Sequence, residues 1–106
     1  MSTDSKGELV DLIIRRAFEP VMHKKGDGLN PAEQDKLAHV QKATQAEIDR
    51  FHGYDSAQEV LVNFRRDLNS EPAQKIHREL KAHDLPTIND IRDEVEEKAL
   101  DLGVSA

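Results

Sequence analysis

Apolar positions recur at helical spacing along most of the chain, and the densest run is Leu9 to Met22. At about 100° per residue, Leu9, Val10, Ile13, Ile14, Ala17, Phe18 and Val21 fall on one broad arc of a helix. Met22 extends that arc, while Asp11, Arg15, Arg16, Glu19 and His23 gather on the other side. An arc so wide needs cover from two directions, which puts this helix at the centre of the core. Leu12 stands among the polar positions and points to a further contact surface. The pattern predicts a helix over 8–23 with a kink or break at Pro20, since proline lacks a backbone donor and disfavours helical geometry at Glu19. Val21 and Met22 keep the apolar phase beyond it.

Gly26 and Gly28 mark a loop, after which Asn30-Pro31-Ala32-Glu33 reads as a helix start. Asn30 caps, Pro31 suits the first helical position, and Glu33 reaches back to the cap. The second helix, 31–52, carries a narrow stripe of Leu37, Val40, Thr44, Ile48 and Phe51, and Gly53 is expected to end it in left-handed geometry. Ser56 to Glu59 forms a second capping box, opening a helix over 57–68 with Ala57, Val60, Leu61, Phe64 and Leu68 on one face. Ser70 or Asn69, with Pro72, starts a fourth helix over 71–83 along Ala73, Ile76 and Leu80. Thr87 to Asp90 opens the fifth, 88–102, with Ile88, Ile91, Val95, Ala99 and Leu102 in register before Gly103. Val60-Leu61-Val62 alone would suit a strand, but no partner strand exists for it. The fold class predicted is all-α, a small bundle of five helices joined by short turns. Residues 1–7 are small and polar and are assigned to a disordered tail, leaving 8–106 as a single helical domain.

Composition narrows the function classes. Aromatics are only 4% of residues, so the core is aliphatic and modest, and pairing of two copies would help it. Homodimerisation is therefore expected, with Val62 as well as Leu12 out of phase with the core. The absence of cysteine excludes disulfides, thiol nucleophiles and thiolate metal sites, and agrees with a cytoplasmic protein. No run approaches the roughly 20 apolar residues of a membrane span, and the N-terminal residues lack the pattern of a signal peptide. The net charge of −6 is uneven: 8 Lys and Arg face 9 Asp and Glu up to Gly53, and 7 face 12 from Tyr54 onward. That balance disfavours duplex nucleic acid, which needs a basic surface.

Chemistry-bearing residues are scattered. His23, His39, His52, His77 and His83 show no metal-ligand spacing and read as exposed residues. The Gly26-Asp27-Gly28 loop lacks the alternating oxygen ligands of a calcium loop and the Lys-Ser/Thr ending of a phosphate loop. No catalytic group, cofactor or metal ligand is assigned, and no family resemblance is drawn.

Two surfaces compete. Asp90, Asp93, Glu94, Glu97 and Asp101 spread opposite the apolar stripe of the fifth helix, with Glu96 at one edge. Asp93, Glu97 and Asp101 are the candidate contacts for a protein partner, a basic one by charge. The main expectation is thus a small interaction or regulatory module without catalytic activity. The alternative is a helix–turn–helix nucleic-acid binder using Arg65, Arg66, Lys75, Arg78 and Lys81 on the third and fourth helices, although Glu71 and Glu79 interrupt that patch. A weaker alternative is a histidine site assembled by folding.

Overall fold

Five helices build the structure, a computed structural model that describes residues 4–105. Helix α1 starts as an α-helix over Ser5–Ile13, widens into a π-helical stretch over Ile14–Phe18, and closes with an α-helical turn, Glu19–Met22. Its first turn lies inside the segment that composition assigns to a tail. Asp4 caps it by accepting from the Gly7 N–H at 3.0 Å, and Lys6 Nζ donates to the His52 carbonyl at 2.9 Å. Residues 1–3, the remainder of that expected tail, lie outside the described residues.

Pro20 does not end the helix. The Glu19 N–H bonds the Ile14 carbonyl, one residue further back than in an α-helix. The widened turn gives the proline ring room where it would crowd the carbonyl of the preceding turn. The same turn carries Ala17 and Phe18 inward, where both are buried.

Helix α2 spans Pro31–His52, α3 spans Ala57–Leu68 and α4 spans Glu71–Ala82. Helix α5 opens with a 3-10 turn, Ile88–Ile91, and continues as Arg92–Asp101. The Asn30–Glu33 capping box forms as expected. At α3 only half of the expected box does: Ser56 accepts from the Glu59 N–H, but the Glu59 carboxylate accepts from Asp55 rather than Ser56. Gly53 is also a correction. It sits at φ −81°, and α2 unwinds through right-handed turns in which the Gly53 N–H bonds the Asp49 and Arg50 carbonyls. Left-handed helix ends occur elsewhere, at Gly103 (φ 72°) and at Asp84 (φ 57°).

Helix α1 is the axis of the molecule. Helix α2 runs antiparallel to it, tied by Lys6 to His52 at one end and by Gln41, whose amide donates to the Val21 and Lys24 carbonyls, at the other. Helix α5 also runs antiparallel, joined by Lys98–Glu8 at 3.5 Å and Arg16–Glu94 at 2.9 Å. Helix α3 packs on α1 through Val60, Leu61 and Phe64, all buried against Leu9, Val10 and Ile13 in one large cluster. Leu12 packs against that cluster as well, so its out-of-phase position serves the core. A second, small cluster joins Val21, Val40 and Leu80, with Ile76 and Leu85 against it. The two lie along a body of 49 × 26 × 21 Å whose radius of gyration, 14.4 Å, exceeds the about 13 Å of a compact chain this long.

Candidate functional site

Between the two clusters the helices leave a cleft of about 310 Å³. The π-turn of α1 supplies Ala17 and Phe18 to its wall; α2 supplies Ala43 and Thr44; α4 supplies Ala73 and Ile76. Alanines and short hydroxyl side chains stand where larger residues would close the space. The floor is apolar, and a cleft of this size and lining falls within the range of small-molecule sites.

Charge collects at one part of the rim. The Arg50 guanidinium bonds both Glu47, one turn earlier on α2, and Asp67 on α3. It also stacks 5.8 Å from the Phe51 ring centroid. Burial raises the Glu47 carboxyl above its ordinary range, and the charge of Asp67 raises it further against the pull of Arg50. Burial likewise raises Asp67, opposed by Arg50 and by a hydrogen bond from Glu47. Glu47 and Asp67 therefore hold protons more tightly than free carboxyls do, with one guanidinium between them.

His77 forms another part of the lining. It is buried, not exposed as its polar neighbours imply, and its Nδ1 lies 2.9 Å from the Asn89 amide nitrogen. Burial lowers its proton affinity, while Asp90 and Asp67 work the other way. With Nδ1 accepting from Asn89, the neutral ring carries its proton on Nε2. Its position four residues after Ala73 and three before Leu80 was the sequence signal for an inward-facing residue. Thr44 is satisfied within its own helix, its hydroxyl donating to the Val40 carbonyl at 2.8 Å.

The residues singled out from sequence lie elsewhere. Asp93, Glu97 and Asp101 are exposed on the outer face of α5 and enter no ion pair among the described residues. Their neighbours Glu94 and Glu96 are taken up by Arg16 and Arg65. Leu100, which the helical pattern does not single out, projects from the same helix at 78% exposure. Of the basic set, Arg65 makes a two-pronged bond to Glu96 at 2.8 and 2.7 Å. Arg66 lies at the mouth of the cleft, and Lys75, Arg78 and Lys81 are exposed along α4. His23, His39 and His52 are exposed, and among the described residues no three His, Cys, Asp or Glu side chains converge on a metal position.

No helix among the described residues is long and apolar enough to cross a membrane. Comparison with family models, curated proteins and solved structures finds no match to this chain.

Proposed function

We propose that this chain is a non-catalytic helical binding module of regulatory kind, and that the cleft between its two cores is where it binds. The observation that carries this is the cleft itself: an apolar floor with titratable groups of shifted proton affinity at its rim. Binding is favoured over catalysis because the rim groups are engaged with one another. Arg50 holds two carboxylates, and His77 Nδ1 is occupied by Asn89. Phenethyl alcohol, an apolar probe small enough for the cleft, should raise Tm in proportion to the logarithm of its concentration. Ala73→Leu fills part of the space and should abolish that shift while helicity is retained. An equal shift in wild type and variant would place the probe elsewhere and end the proposal.

A second reading rests on Leu100 and Val62, 78% and 40% exposed. Each stands one turn from the Arg65–Glu96 pair, Leu100 four residues beyond Glu96 and Val62 three before Arg65. A protein partner, or a second copy of the chain, covering both would be guided by the acidic Asp93, Glu97 and Asp101 nearby on α5. Sedimentation equilibrium at micromolar concentration tests the second copy: a monomer mass in both wild type and Leu100→Ser removes it.

A further inference from the structure

The charges at the rim of the cleft pair unevenly: Arg50 takes both acids, while Arg66 bonds Asn63. Two carboxylates, Glu47 and Asp67, share the single guanidinium of Arg50. The carboxylates also act on each other: the charge of Asp67 raises the Glu47 carboxyl. Two acids held on one cation repel each other and compete for its pull. The other arginine at the rim, Arg66, is exposed and reaches Asn63 at 3.5 Å, and it pulls on Asp67 less than Arg50 does. His77 is held neutral by burial and brings no charge. Its ring lines the cleft, and its Nε2 makes no hydrogen bond among the described residues.

We infer that the natural guest of the cleft is a small amphipathic ammonium, its apolar body on Phe18, Ile76 and Leu80 and its cationic group against Glu47 and Asp67. The charge of the guest completes the pairing that one guanidinium leaves incomplete. An anionic guest would face two carboxylates across a partly desolvated rim, where like charges repel more strongly than in water. A neutral guest of equal shape would gain only the apolar contact. His77 offers its N–H to an acceptor atom on the guest's body.

This inference rests on the cleft being the binding site, and one titration series separates the two claims. Phenethylamine, phenethyl alcohol and hydrocinnamate have closely similar bodies and differ in charge. Their binding to the intact chain is followed by the amide shifts of Ala43, Thr44, Ala73 and Ile76. Phenethylamine should bind about tenfold or more tightly than the alcohol, and hydrocinnamate the least tightly. Asp67→Asn and Glu47→Gln should each bring amine and alcohol within about twofold, leaving the alcohol's affinity nearly unchanged. Equal affinities in wild type, or preference for hydrocinnamate, overturn the ammonium and leave the cleft as a site. Failure of all three probes to move any cleft amide overturns the cleft itself.

Discussion

The core beside Phe51 and the core beside Leu80 share helices α1 and α2, yet they differ greatly in depth. Among the described residues the first gathers sixteen buried ones from α1, α2, α3, α5 and Val104, including the tilted Phe18–Phe51 pair with ring centres 5.9 Å apart. The second gathers three, one each from α1, α2 and α4. Where apolar contact is thin, side-chain amides help tie the chain: Gln34 donates to the Gly26 and Leu29 carbonyls, and Gln41 to those of Val21 and Lys24. Such bonds contribute about 1 kcal/mol each, whereas burial of a large apolar side chain contributes about 1.5–3 kcal/mol. The broad core therefore carries global stability, and the thin one fixes α4 only locally. The cleft lies where the two meet, so its α4 wall is the wall most able to move.

The largest effect that could break this contrast is a truncation in each core. Phe64→Ala, at a fully buried position, should cost about 3–5 kcal/mol in a urea melt. Leu80→Ala should fall near the lower end of its range, about 2 kcal/mol, because the neighbouring cleft lets the site relax. Equal losses would mean that both cores carry the fold alike.

Helix register was legible in the sequence because packing repeats every three to four residues, and buried positions follow that period directly. Leu9, Val40, Phe64 and Val95 all lie on the faces their spacing predicts. The π-turn was only half legible. Pro20 announces a disturbance, but whether the helix ends or widens depends on what covers Val21, and that is decided by Val40 and Leu80 far along the chain. The cleft was not legible at all. It is a space left by Ala17, Ala43 and Ala73, and a pattern of apolar residues records what fills a core rather than what fails to. Glu47 and Asp67 stand twenty positions apart among 21 acidic residues, and only the fold sets them on one arginine. The acidic face of α5 was legible as exposed, and Asp93, Glu97 and Asp101 are so.

A smaller effect comes from pH. His77 has a lowered proton affinity in the fold, so the unfolded chain takes up its proton first as pH falls below about 6.5. Its contribution is present above that pH and lost as pH falls through the folded value. Glu47 and Asp67 are raised, so theirs is full below the unfolded values of 4.5 and 3.8 and lost as pH rises through the folded ones. The two contributions oppose each other on acidification from neutrality. His77→Gln should make the protein gain stability, relative to wild type, as pH falls from 7 to 5; Glu47→Gln should make it lose more. Parallel Tm profiles for all three proteins would show that these groups do not titrate with folding.

The smallest effect tests the thin core alone. Helix α4 ends in a left-handed turn in which the Leu85 N–H bonds the Leu80 carbonyl at 2.9 Å and the Asp84 N–H bonds that of Lys81 at 3.0 Å. Asp84 occupies the position that favours glycine, at φ 57°, whereas the matching turn at the end of α5 has Gly103 there. A left-handed residue with a Cβ costs roughly 1 kcal/mol, less for aspartate, and glycine gives part of that back as greater freedom of the unfolded chain. Asp84→Gly should therefore stabilise by no more than about 0.5–1 kcal/mol. Because Leu85 packs with Leu80 and Val21, the gain belongs to the thin core first. Amide exchange should slow at Ile76 and Leu80, which open locally, while Val60 and Phe64, governed by global unfolding, change less. Uniform slowing along α3 and α4 would show that the two cores open together, and the distinction between them would fail.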